Sequence, residues 1–161
     1  MHKTSTTVFI DLEQTLIDNW SSRELINIRP IRAFLKARGV TEISIYSFAI
    51  YDDNDKRKFS DHLKSQIEEA LGVTVLAYPS VRDMIREDKK FTGVTFDQWS
   101  EITDYLRLRR KQDSFVNYIL GTCEFDLAIL IDDVVPDLTI SHRFDGWAIE
   151  LWNVNSLRKA K

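Results

Sequence analysis

The stretch Thr6-Thr7-Val8-Phe9-Ile10-Asp11-Leu12 decides how the rest of the chain reads. β-branched and apolar residues follow one another without a break, as in a short strand buried in a core, and the run ends on a carboxylate. Working outward, similar endings recur twice. Glu42-Ile43-Ser44-Ile45-Tyr46-Ser47 alternates, is rich in β-formers and stops on a hydroxyl. Leu127 to Ile131 is an apolar run expected to be buried on both faces, and it stops on the pair Asp132 and Asp133. Val73 to Ala77 and Trp147 to Leu151 complete the predicted strands.

Helical patterns separate these strands. Glu13 to Arg29 is polar and turn-prone and reads as a loop or small hairpin. Pro30 suits a first helical position, Ile31, Phe34 and Leu35 share a face, and Gly39 supplies the stop. Asp52 to Asp55 offers caps for a second helix with the face Phe59, Leu63, Ile67, Ala70 and Leu71, closed by Gly72. Pro79 and Ser80 open a short helix on Val81, Met84 and Ile85, after which Glu87 to Val94 reads as a surface excursion. Thr95 and Gln98 have capping-box spacing ahead of the stripe Phe96, Trp99, Ile102 and Leu106, and that helix ends in Arg107, Arg109, Arg110 and Lys111. A further helix around Phe115, Ile119 and Leu120 stops at Gly121, and Asn153 to Lys161 reads as a short polar tail. Strands alternating with helices predict one α/β domain over residues 1–161. Its mostly parallel sheet has about five strands between two helical layers.

Composition removes several classes. A chain of 161 residues can bury a core without disulfide or metal staples. With 43% apolar and 29% charged residues it is neither disordered nor fibrous. No apolar run approaches the roughly 20 residues that span a bilayer, and Met1 to Thr7 lacks an apolar leader, so neither a membrane partner nor secretion is expected. The single cysteine, Cys123, permits no internal disulfide, which fits a cytoplasmic location, and reads as a small buried hydrophobe. A net charge of -3 provides no global field for a polyanion, so any nucleic-acid contact needs a local patch. The basic cluster Arg107, Arg109, Arg110 and Lys111 reads either as a solvated helix end or as a surface for DNA phosphates or an acidic partner. Trp99 and Trp147 are expected in the core and Trp20 exposed, while His2, His62 and His142 have no metal-ligand spacing.

In open parallel sheets ligands bind at the carboxyl ends of the strands. Here those ends carry Asp11, Ser47, Asp132 and Asp133. Carboxylates facing one another repel unless a proton or cation intervenes, and a hard divalent ion such as Mg²⁺ accepts their oxygens while keeping positions open for a phosphoryl oxygen. With a hydroxyl and a lysine to hold phosphoryl oxygens, Asp11 is placed to attack phosphorus, and phosphoryl transfer through an aspartyl-phosphate is the chemistry this layout supports.

Val8 to Leu16, with Asp11, Glu13 and Thr15, resembles the first motif of the haloacid dehalogenase (HAD)-like superfamily, an apolar strand followed by Asp-x-Asp-x-Thr. Ser47 is similar to its second motif, and Asp132-Asp133 with Asp137 to its acidic fourth. Lys111 is the best match for the third-motif lysine, with Lys89 and Lys90 as competitors. The resemblance implies a three-layer Rossmannoid fold with strands in the order fifth, fourth, first, second, third, Asp11 as nucleophile and Mg²⁺ ligand, and the Glu13 backbone carbonyl and Asp132 or Asp133 as further ligands. It implies Ser47 and Lys111 as the phosphoryl-binding pair and Thr15 as the residue that steadies the turn presenting Asp11. Glu13 departs from the family, which places Asp there as acid and base; the extra methylene displaces that carboxyl by roughly 1 Å, a scale that can cost about 10²-fold in rate. No insertion after the first or second strand is long enough for a substantial cap domain, and such an open site would suit a macromolecular or protein-bound phosphorylated substrate, or no substrate at all. The altered motif and small size also resemble the Alc-type host-transcription inhibitors of T4-like phages. That resemblance implies a non-catalytic phage protein whose partners in the host cytoplasm are bacterial RNA polymerase and DNA.

Overall fold

The computed structural model describes residues 5–93, 105–107 and 109–159. The chain orders as β1 (Thr6–Ile10), α1 (Ile28–Ala37), β2 (Glu42–Ile45), α2 (Asp53–His62), α3 (Lys64–Leu71), β3 (Thr74–Val75), α4 (Val81–Thr92), α5 (Lys111–Thr122), β4 (Leu127–Asp132), β5 (Leu138–His142), β6 (Trp147–Asn153) and α6 (Val154–Lys159). Residues 105–107 are helical; the rest of the helix expected from Thr95, with Phe96, Trp99 and Ile102, lies outside the described residues.

These strands form one six-stranded sheet in the order β3-β2-β1-β4-β6-β5. β1 pairs in parallel with β2 and β4, β4 with β6, and only β5 runs antiparallel, against β6. The expected order of five strands is therefore present, with one addition. β5 is an edge strand whose residues are exposed except for half-buried Ile140, so no hydrophobic alternation marked it.

Alternation along the central strands sorts the core into two clusters, one on each face of the sheet. Val8 and Ile10, with Ile43, Ile45, Ile129 and Ile131, pack against α1, α2, α3 and α6. Phe9, Ala128 and Leu130 point the other way, toward Val81, Met84 and Ile85 of α4 and Phe115 and Ile119 of α5. Helices thus cover both faces, as strands apolar on both sides require.

Several boundaries differ from the sequence reading. The second helix breaks into α2 and α3 at Leu63, whose side chain is fully buried, so the apolar face passes through the break without interruption. Helix α4 does not stop at Ile85 but continues to Thr92, capped by Gly93 at φ 69°, because Asp88 in its charged second half is buried and partnered. The supposed tail contains α6, held by the buried pair Val154 and Leu157. Trp20 is half-buried against the first cluster rather than exposed, and Cys123 is only partly buried. Among the described residues, no helix is long and apolar enough to cross a membrane.

Candidate functional site

The order of the strands fixes where the site lies. From β1 the chain builds β2 and β3 to one side, then returns to place β4 and β6 on the other, so the switch point falls between β1 and β4. Asp11 follows β1 directly, and its N–H still donates to the Ile131 carbonyl at 2.9 Å. Asp132 ends β4 and Asp133 follows it. On the other flank Tyr46 N–H donates to the Ile10 carbonyl at 3.0 Å, which sets Ser47 one residue beyond the ladder. Asp11, Ser47, Lys111 and Asp133 line a common cleft of about 420 Å³ together with Glu13, Arg109 and several apolar side chains.

Lys111, the first residue of α5, turns inward and forms two ion pairs. Its Nζ lies 2.7 Å from Asp11 Oδ1 and 2.5 Å from Asp132 Oδ2. Burial works against the ammonium, but Asp11 and Asp132 outweigh it and hold Lys111 above its ordinary pKa. Burial in turn pushes Asp11 up; Lys111 opposes the rise and Asp133 adds to it. Burial likewise raises Asp132, against the pull of Lys111, and burial together with Asp132 raises Asp133.

Oxygens of Asp11, Asp132 and Asp133 lie within 4.8 Å of one another. Three carboxylates against one ammonium leave two negative charges in a largely buried pocket when all are ionised. Asp132 Oδ1 accepts from Val134 N–H at 2.8 Å, whereas the buried Asp132 Oδ2 faces the Lys111 ammonium. An all-oxygen donor set whose negative charge exceeds that of the one ammonium beside it fits a hard divalent cation.

The turn after Asp11 is tightly made. Thr15 is fully buried and donates through Oγ1 to Asp11 Oδ2 at 3.2 Å, while Gln14 takes a left-handed φ of 61°. Glu13 lines the cleft, but its Oε2 accepts from Trp20 N–H at 3.0 Å, which ties the carboxylate to the far side of the turn. Ser47 is buried, and its Oγ accepts from Ala49 N–H at 3.2 Å.

A buried polar network fixes the two flanks of the cleft relative to each other. Tyr46, beside Ser47, is hydrogen-bonded through its hydroxyl to Ser114 Oγ at 2.5 Å, and Ser114 lies three residues after Lys111. The Tyr105 hydroxyl joins the same Ser114 oxygen. Arg109, two residues before Lys111, donates from Nε and Nη2 to the two oxygens of Asp88 at 2.8 and 2.9 Å, and Asn117 adds a bond to Asp88 at 2.6 Å. Asp88 is fully buried on α4. Sequence reading missed it because it sits in the run Arg86-Glu87-Asp88-Lys89-Lys90, which looks like a solvated face, and nothing local pairs it with Arg109. The cleft residues Phe48, Tyr51 and Val134 were missed too, although each lies within four residues of Ser47 or Asp133.

The basic cluster divides. Lys111 is buried in the site and Arg109 is paired with Asp88, while Arg107 and Arg110 are exposed, Arg110 lying 3.3 Å from Asp113. Asp137 stands apart from the carboxylate group: it accepts from Asn153 N–H and Ser156 Oγ and so caps the start of α6. Comparison with family models, curated proteins and solved structures finds no match.

Proposed function

We propose that the chain is a Mg²⁺-dependent phosphohydrolase-like domain of the HAD type, without a substantial cap, acting on a phosphate monoester through Asp11. The observation that carries this reading is the convergence of Asp11, Lys111, Asp132 and Asp133 at the switch point of the sheet, where Asp11, Lys111 and Asp133 share a cleft with Ser47. Mg²⁺ held by Asp11, the Glu13 carbonyl and Asp132 or Asp133 would neutralise the carboxylates and polarise the phosphoryl group. Lys111 would offer its ammonium to one phosphoryl oxygen. Ser47, which accepts from Ala49, retains its proton for another. A carboxylate oxygen of Asp11 would bond to phosphorus as the bond to the leaving oxygen breaks; that oxygen takes the electron pair and then a proton. Water would afterwards release inorganic phosphate from Asp11. Thr15 keeps the nucleophile oriented.

Glu13 sets the rate. With its carboxylate held by Trp20, it is poorly placed to protonate the leaving oxygen or to deprotonate water, so turnover is slow. The same observation favours the non-catalytic side of a second reading from another class, in which the domain is an Alc-type phage protein that engages bacterial RNA polymerase and DNA. Phosphate release from an aryl phosphate with Mg²⁺ separates the two. The catalytic reading expects weak activity in the native chain, more in Glu13→Asp and none in Asp11→Asn. If Glu13→Asp is as inert as Asp11→Asn, that reading is wrong, and retention of RNA polymerase from bacterial lysate by the native chain would favour the second.

A further inference from the structure

We infer that the mouth of the cleft is a ring-binding subsite, so that the substrate is a phosphate monoester whose ester oxygen is borne by an aromatic ring or by the carbon next to one. The inference rests on the proposed phosphoryl site and adds the class of leaving group. Phe48 follows Ser47 directly, and its ring centre lies 5.4 Å from Lys111 Nζ, so apolar surface begins immediately beside the ammonium. Tyr51 and Val134 line the same cleft while 42% and 69% exposed, and Ala49 and Leu106 complete its apolar part. Singly scattered apolar side chains on a surface need no explanation, but these converge around one opening.

The chain holds them there. Tyr51 N–H donates to Asp55 Oδ2 at 3.1 Å, and Ile50, between Ala49 and Tyr51, is fully buried and anchored through its carbonyl to Val81 N–H at 2.8 Å. Val134 is fixed through its own N–H by Asp132 Oδ1 at 2.8 Å. Both apolar segments therefore leave the same strand ends that carry Ser47 and Asp133, and neither can fold back into the core. A cleft of about 420 Å³ is far larger than a phosphoryl group. Two polar side chains of the mouth are turned to other partners: Gln14 Nε2 donates to the Asp18 carbonyl at 2.6 Å, and Arg109 to Asp88. A flat ring would cover the exposed apolar surface that Tyr51 and Val134 present.

The test uses ligands that cannot turn over. Phenylphosphonate and methylphosphonate are titrated into the full chain with Mg²⁺ present, for the native protein and for a Tyr51→Ala, Val134→Ala double variant whose changes lie on exposed side chains. Phenylphosphonate is expected to bind about tenfold more tightly to the native chain, which is what covering half a ring is worth. The double variant should lose most of that ratio while keeping its affinity for methylphosphonate. Equal affinities in the native chain, or a ratio that survives in the variant, would overturn the ring subsite and leave the phosphoryl site standing. If neither phosphonate binds, both fall.

Discussion

Replacing Lys111 by methionine removes a cation from between two buried carboxylates while keeping most of the side-chain volume. The ammonium lies 2.7 Å from Asp11 and 2.5 Å from Asp132. At an effective dielectric of about 20 each contact is worth about 6 kcal/mol of gross attraction, much of it offset by desolvation. What counts is the state left behind, in which Asp11 and Asp132 face each other with no counter-charge; breaking a buried pair in this way costs about 3–5 kcal/mol. For a domain of this size that lowers the melting temperature by about 6–20 °C. The dependence on pH follows from the directions of the shifts. A carboxyl held above its unfolded value carries more protons folded than unfolded, so its contribution worsens as pH rises from the ordinary carboxylate range through its folded pKa. Lys111 restrains both rises, so the variant's deficit should be largest at neutral pH and shrink as pH falls toward the ordinary carboxylate range. Lys111 itself is held above its ordinary value, and the stability it contributes is lost as pH rises through its folded pKa, which closes the gap again in alkali. Urea unfolding in the presence of a chelator checks the magnitude, and repeating it with excess Mg²⁺ should restore about 3 kcal/mol if the ion is near 100 times its Kd. A variant as stable as the native chain at neutral pH, or a deficit that does not change with pH, would refute the reasoning.

Asp88→Asn should cost about 3–5 kcal/mol in urea unfolding, because it strips the charge that Arg109 matches in a buried bidentate pair, and it should also weaken binding of inorganic phosphate by loosening the approach to Lys111. Arg86→Ala, which removes only an exposed pair with Asp83, should change stability by less than about 0.5 kcal/mol and serves as the control. Ser80→Ala should cost about 1 kcal/mol, since Ser80 Oγ accepts from Asp83 N–H in a complete capping box at the start of α4. Leu157→Ala should cost about 2–4 kcal/mol by opening a cavity under α6, and a loss below about 0.5 kcal/mol would mean that the helix is not docked.

What the sequence revealed and what it hid follow from how burial is encoded. Val8 to Ile10 and Leu127 to Ile131 were legible because strands buried on both faces read as unbroken apolar runs, and the polar groups at their ends stand out against them. Asp11, Ser47, Asp132 and Asp133 were found by that contrast. β5 was not, because an edge strand with exposed residues has neither an apolar run nor alternation. The break at Leu63 left no trace, since residues 59, 63, 67 and 71 keep a four-residue spacing whether or not the helix axis continues. In α6 the signal is present but short: Val154 and Leu157 are three residues apart, as one helix face requires. Asp88 is the opposite case, a charged residue in a charged run whose burial depends on Arg109 and Asn117 meeting it from another element. Long-range polar pairing of that kind has no local period and cannot be read from spacing.

Substoichiometric Mn²⁺, used as a paramagnetic stand-in for Mg²⁺, tests most directly whether the strand-end carboxylates hold a divalent ion. The account predicts that amide signals of Asp11 to Gln14, Ser47, Lys111 and Asp132 to Val134 broaden before any others, recover when excess Mg²⁺ is added, and are unaffected by Mn²⁺ in an Asp132→Asn, Asp133→Asn double variant. Broadening that is uniform, or that centres instead on the surface acids Asp52 to Asp55, would contradict it.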